Sequence, residues 1–188
     1  PSILTDSEWS SWQSAAKKEL SSNPYFSVSD DSSAVFIMRD TPISFEEKQL
    51  RLFQREKSFY SKYSVMMDFI RQDGDLDSEE FMKMLSFFED EIRTDSTTAV
   101  VAFIVLDHLR SSLGMSFIHT EKAFAELYAA LTPARRTELY RNIDDAALRR
   151  LYVDYVVATD PSWQASLAAL LHVNPSMMLL ETISSGPR

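Results

Sequence analysis

The chain has 188 residues, 45% of them hydrophobic and 12% aromatic, which is enough apolar content to fill one core and too much for a disordered segment. Its three glycines, Gly74, Gly114 and Gly186, lie far apart, so the clustered-glycine loops of P-loop and Rossmann sites are excluded and hairpin-rich β folds are disfavoured. A net charge of −9 disfavours general nucleic-acid binding, and the absence of cysteine excludes disulfides, thiolate zinc sites and cysteine nucleophiles.

The first helix is marked by Thr5 and Glu8 at capping-box spacing, with Leu4 and Trp9 placed as a hydrophobic staple. Trp9, Trp12, Ala16 and Leu20 fall near one face, and Ser21-Ser22-Asn23-Pro24 ends the run. After Tyr25-Phe26 comes a polar Ser-Asp stretch over 29–33 and then a short apolar run over 34–38. The reading is an irregular strap across the helices, or an edge that pairs with something outside the chain.

Ser44 and Glu47 form a second capping box that opens the longest predicted helix, about 45–70. Phe45, Leu52, Phe59 and Met66 recur every seven residues beside Tyr63 and Ile70, giving one apolar seam for the core or for a second copy of the chain. Gln49 and Glu56 interrupt its second row, which favours packing within the domain.

A turn over 71–77 leads to a third box, Asp77 with Glu80, and a Leu76–Phe81 staple. Phe81, Met84, Leu85, Phe88 and Ile92 then mark one amphipathic face, and Phe87 falls among Glu80, Lys83, Asp90 and Glu91, under a second layer or exposed. The loop Asp73-Gly74-Asp75-Leu76-Asp77-Ser78-Glu79-Glu80 resembles the second half of an EF-hand calcium loop, with Asp73, Gly74, Leu76, Asp77 and Glu80 at its fifth, sixth, eighth, ninth and twelfth positions. Phe69 and Arg71 stand where that family has its first and third ligands. A turn followed by a helix cap accounts for the same residues.

The centre of the chain is the stretch 96–113, whose middle, 99–106, holds eight apolar residues without interruption. Asp95 or Ser96 as N-cap, Leu109 and Leu113 at helical spacing and Gly114 as a stop make it a helix that is hydrophobic all round, one that other helices must enclose. It is too short to span a bilayer. Phe117, Phe124, Leu127, Tyr128 and Leu131 mark a further helix. Thr132-Pro133, Asp160-Pro161 and Asn174-Pro175 each place an N-cap before a proline, with Asp144 or Asp145 as a fourth start. The spacing of these starts, and the offset of 28 that maps Leu139 and Ile143 onto Leu167 and Leu171, suggest a duplicated, solenoid-like hairpin.

The expectation is therefore a single all-α domain of eight or nine helices around the 96–113 helix. Its parts are a helix and strap over 1–43, the long, acidic and buried helices over 44–113, and successive short helices over 115–185. Chemistry finds little support. His108, His119 and His172 have no metal-pair spacing, His119 and Glu121 are an ordinary coincidence of titratable groups, and no nucleophile elbow exists, so neither metal, cofactor nor catalytic residue is assigned.

Charge is uneven, with ten acids over 68–95 against Arg71, Lys83 and Arg93, and with Arg135, Arg136, Arg141, Arg149 and Arg150 grouped further on. The function expected is non-catalytic protein–protein interaction, as a scaffold, adaptor or oligomerisation domain of a larger intracellular protein. The candidate contacts are Met82, Phe87 and Glu91 of the acidic helix, for a basic protein partner, and Tyr60 and Met67 of the seam, for a second copy. RNA binding through Arg135, Arg136, Arg149 and Arg150 and a degenerate EF-hand at 73–81 are the alternatives.

Overall fold

A computed structural model describes residues 5–28, 35–94, 96–116, 118 and 123–186. The architecture is a multi-helix, all-α bundle with one small two-stranded ribbon near its start. In chain order it runs α1 (Asp6–Ser22), β1 (Phe26–Val28), β2 (Phe36–Met38), α2 (Phe45–Arg55), α3 (Phe59–Arg71), α4 (Glu79–Ile92) and α5 (Thr98–Leu113). There follow α6 (Phe124–Ala129), α7 (Pro133–Asn142), α8 (Ala146–Thr159), α9 (Trp163–Val173) and α10 (Met177–Ser185). No described helix is long and apolar enough to cross a membrane.

Helix α5 is the axis. Every residue from Ala99 to Leu106 is buried, together with Leu109, while α4, α6 and α8 pack directly against it. The reading of 99–106 as an enclosed helix thus holds. Its stop holds as well, since Gly114 takes the left-handed conformation (φ 67°) that a C-cap requires. Its start does not. The N-cap is Thr97, which makes no side-chain capping bond, and Asp95 lies outside the described residues. The Glu91 carboxylate of α4 reaches over instead, accepting from the hydroxyls of Ser96 (2.7 Å) and Thr98. A negative group at a helix N-terminus is favourable, so the preceding helix supplies what the local sequence does not.

The long helix expected over 45–70 is two helices. α2 ends at Arg55, Glu56 is extended (φ −67°, ψ 134°), and Ser58 caps α3 by accepting from the Ser61 N–H at 3.0 Å. Heptad spacing persisted across a break because Phe45, Leu52, Phe59 and Met66 occupy two separate helices. Phe59 and Met66 are buried, Phe45 is half-buried and Leu52 is exposed, so the continuous seam for self-association does not exist. Lys62 secures the corner by donating from Nζ to the Phe53 carbonyl (2.7 Å), which lies near the end of α2 where carbonyls lack helical partners.

The strap over 34–38 is corrected too. β2 pairs antiparallel with β1, in the register Phe26 to Met38, Ser27 to Ile37 and Val28 to Phe36, so its partner is inside the chain. Among the described residues ten helices replace eight or nine, because the long one divides.

Three helix starts move as well. Ser78, not Asp77, caps α4, while Asp77 donates its N–H to the Asp75 carboxylate. Ser162 and Ser176 replace Asp160 and Asn174, which instead close α8 and α9 as C-caps. Asp160 still organises the turn after it, accepting from the Ser162 N–H (2.8 Å) and the Ser166 hydroxyl (2.6 Å). Thr132 and Asp145 cap α7 and α8, and the Thr5–Glu8 box opens α1. Leu4 and Phe117 lie outside the described residues.

In the turn between α3 and α4 the left-handed residue is Asp73 (φ 55°), not Gly74. Gly74 is needed for space, because a Cβ there would sit under 3.0 Å from three atoms of the buried Phe69 ring. Gly74→Ala is expected to lower stability by about 1–3 kcal/mol through overpacking, read as a lower urea midpoint.

Tyr60 and Tyr63 of α3 are each pushed up to about 12, by burial first and then by Asp144 and Asp145 respectively, at the start of α8. Folding therefore favours their neutral forms. Their stabilisation is intact below pH 10 and is lost as pH rises toward 12, so a phenolate absorbance titration should show these two ionising late and together with alkaline unfolding.

Candidate interaction surface

Exposed apolar side chains are the natural starting point, because the interior is closed. Twelve large hydrophobic residues among those described are exposed, and six of them, Trp9, Trp12, Tyr25, Val35, Ile37 and Met38, precede residue 39. Helix α1 is amphipathic at the spacing expected, yet among its described side chains only Ala16 and Leu20, toward the ribbon, are half-buried. Trp9 and Trp12, one turn apart, stack on each other with ring centroids 5.2 Å apart and stand 51% and 56% exposed. A helical stripe of aromatics indicates a surface that needs covering; it does not say that the same chain provides the cover. The sequence signal was there in a second form. Beyond the two tryptophans, α1 offers mainly Ser, Ala, Gln, Lys and Glu, too little apolar length to bind a core.

The residues singled out from sequence are dispersed. On α4, Met82 is exposed and Phe87 is half-buried, its ring edge-on to Phe53 (5.6 Å) and Phe88 (5.1 Å) and near Phe59 (6.3 Å). The Lys62 ammonium lies over both Phe53 (4.6 Å) and Phe87 (5.2 Å), a cation–π pair that seals the α2–α3 corner. Desolvation lowers the Lys62 pKa, with Glu56 opposing the shift. Phe87 is thus under the second layer, and Tyr60 meets the same cluster through Phe59 (5.4 Å). Met67 is half-buried against the core, and Glu91 is engaged at the start of α5. The acidic helix is partly neutralised along its own length by Lys83 with Glu79 (2.7 Å) and Arg93 with Asp90 (2.8 Å).

The arginine group divides. Arg136 donates from Nε to the Tyr128 carbonyl (3.2 Å) and lies over the Tyr128 ring (4.0 Å). Arg149 donates both Nε (3.0 Å) and an Nη to the Ile143 carbonyl and lies 5.4 Å from the Tyr140 ring. Both guanidiniums fasten one helix to the backbone before it. Arg135, Arg141 and Arg150 are exposed, Arg150 within 4.0 Å of Asp154. No group of three or more metal-ligating side chains converges among the described residues, and the Asp75 carboxylate of the 73–81 loop accepts from the Asp77 N–H. His108 bonds Ser112 within α5 (3.1 Å), His172 is exposed, and His119 and Glu121 lie outside the described residues. A shallow groove of about 580 Å³ between α8 and α10, lined by Arg150, Asp154, Met178 and Glu181 among others, gathers no catalytic set.

Two outcomes separate the corner from the surface. Phe87→Ala is expected to cost about 3 kcal/mol, the low end for an aromatic truncation because the ring is half-buried, whereas Trp9→Ala with Trp12→Ala should change stability by no more than about 0.5 kcal/mol each. Urea unfolding of the variants measures both. Likewise Arg149→Ala should destabilise by about 1–3 kcal/mol, leaving the Ile143 carbonyl without its partner, and Arg150→Ala should be near neutral.

Comparison with known proteins places these elements in a family. A family model described as the GreA-associated C-terminal domain matches residues 45–187, and one described as the GRAD helix-turn-helix domain matches residues 1–43. Within the second match the described residues form α1 and the two-stranded ribbon. A GreA-associated domains protein of Treponema pallidum (strain Nichols) is 26% identical over 97% of this chain, which spans 27% of that protein's length. The transcription elongation factor GreA of Borreliella burgdorferi (strain ATCC 35210 / DSM 4680 / CIP 102532 / B31) is 33% identical over 47% of this chain, corresponding to 10% of its own length. No solved structure matches. With its α2–α10 bundle covered by one family model and α1 and the ribbon by the other, the chain belongs to the GreA-associated domain family.

Proposed function

We propose that this chain is a non-catalytic interaction module of a larger intracellular protein and that it docks onto the transcription elongation machinery through its N-terminal segment. The observation that carries the reading is the concentration of exposed apolar side chains before residue 39, with Trp9 and Trp12 stacked and uncovered on α1. Aromatic anchors of this kind are what protein interfaces are built around, and tryptophan is among the residues most enriched at their energetic centres. The likeness to a transcription elongation factor supplies the class of partner.

DNA is a poorer fit for the same segment. Residues 1–43 hold three basic side chains, Lys17, Lys18 and Arg39, against six acidic ones, a balance that repels a phosphate backbone. For RNA through the arginine group, Arg136 and Arg149 are already bonded to backbone carbonyls, which leaves a thin and partly neutralised patch.

The test uses purified bacterial RNA polymerase elongation complexes. Wild-type chain should be retained on them, and Trp9→Ala with Trp12→Ala should weaken retention at least about tenfold, the size expected for loss of a hot spot. Arg150→Ala should leave it unchanged. No retention of the wild-type chain rejects the partner class; retention unaffected by the tryptophan changes rejects the surface.

A further inference from the structure

Among the described residues two helices open with a hydroxyl cap and a glutamate three residues on, and only one of them closes the box. At α1 the Glu8 carboxylate returns to the Thr5 N–H (2.8 Å), satisfying a donor that the helix cannot. At α2 the Ser44 hydroxyl accepts from the Glu47 N–H (3.0 Å), but the Glu47 carboxylate goes elsewhere. It bonds the Arg39 guanidinium, just beyond β2, and the Arg51 guanidinium (3.0 Å) one turn along α2. The Arg39 and Glu47 side chains are 28% and 27% exposed, well covered for an ion pair. Arg39 is the nearest effect on Glu47 and holds its carboxyl below the usual range.

The boundary between the two family matches falls at residue 44, and this pair reaches across it. We propose that Arg39 and Glu47 form a latch that fixes the α1–ribbon segment on the helical bundle, making one rigid unit of two, and so sets the direction in which the exposed tryptophan face points. Glu47 is the residue best placed for this. It sits in the first turn of α2, where a negative charge is favoured, and its Oε1 accepts from both Arg39 and Arg51. On the other side, Arg39 has little freedom, because its own N–H is donated to the Tyr25 carbonyl (2.8 Å) and the Ile43 N–H is donated to the Pro24 carbonyl (2.6 Å). The guanidinium therefore projects from a backbone already folded on itself, and the pair is a charged contact between that fold and α2. The inference stands apart from the identity of the docking partner.

The chain has no cysteine, so two introduced cysteines can be spin-labelled without background. Ser14→Cys on α1 and Ser86→Cys on α4 place labels at exposed positions on either side of the latch. Double electron–electron resonance on the wild-type background should give one narrow distance distribution. Arg39→Gln and Glu47→Gln should each abolish the narrow peak and give a broad distribution, with circular dichroism showing helix content unchanged. Arg51→Gln, which alters the environment of Glu47 without touching the ribbon, should keep it narrow. A broad wild-type distribution overturns the latch, as does a narrow one in both the Arg39 and Glu47 variants, since the ribbon's backbone bonds would then suffice to hold the segment.

Discussion

A helix with no polar face leaves the rest of the chain little choice. Ala99 to Leu106 carries its apolar side chains all the way round, so burying one side would leave the other in water, and only several neighbours together can enclose it. That requirement explains why α4, α6 and α8 converge on α5 from different parts of the sequence. It also explains why polar contacts gather at the two ends of its buried stretch. At one end Glu91 takes the hydroxyls of Ser96 and Thr98; past the other end of the buried stretch Asp107 takes the Tyr155 hydroxyl of α8 and the Arg110 guanidinium. A uniformly apolar rod has no intrinsic rotational or axial register against its neighbours. These end contacts fix the register, and they do so where water can still reach the charges, avoiding the cost of burying them outright.

The same logic accounts for the corner between α2 and α3. A straight helix from Phe45 onward would carry Phe53 and Phe59 on different sides of one cylinder; the break at 56–58 lets both reach Phe88 (6.1 and 5.3 Å). Turning the chain exposes the last carbonyls of α2, and Lys62 answers with one ammonium that bonds a carbonyl and covers two rings. Its aliphatic stem suits it to a half-buried position, where the charge is kept near the surface and the methylenes lie along the aromatic cluster.

Much of this was legible in the residues. The enclosed helix, the α4 face, the Gly114 stop and the caps at Thr5, Ser44, Thr132 and Asp145 each follow from a local rule that nothing distant contradicts. The failures have physical causes of their own. No glycine or proline marks the break at 56–58, and Glu56 and Lys57 are good helix formers, so the turn is imposed by burial of Phe53 and Phe59 and only then sealed by Ser58. The ribbon's strands have three residues each, too few for an alternation to be seen. For α4, α9 and α10, hydroxyl, carboxylate or carboxamide residues compete for one cap within two positions, and local sequence does not rank them. At the surface, the arginines of α7 and α8 read as a patch because composition does not reveal that a guanidinium is already bonded to a carbonyl. Of the contacts named from sequence, Met82 stands exposed while Phe87 is walled by three rings.

What the core does not use is concentrated at the start of the chain, and that placement bears on mechanism. Tryptophans on an exposed helix are costly in water and invite aggregation unless something regularly covers them. A segment that must meet a partner gains from being held in one orientation, because ordering it at the moment of binding subtracts from the affinity. The diverted carboxylate of Glu47 fits that need: the chain gives up the second half of a helix cap and obtains in its place a charged contact between the α1–ribbon segment and the bundle. Bundle and segment then have different tasks, and the energetics of each can be altered without the other. In the proposed arrangement, changes at the Phe53–Phe87 corner act on folding, changes at Trp9 and Trp12 on recognition, and changes at Arg39 on the coupling between them.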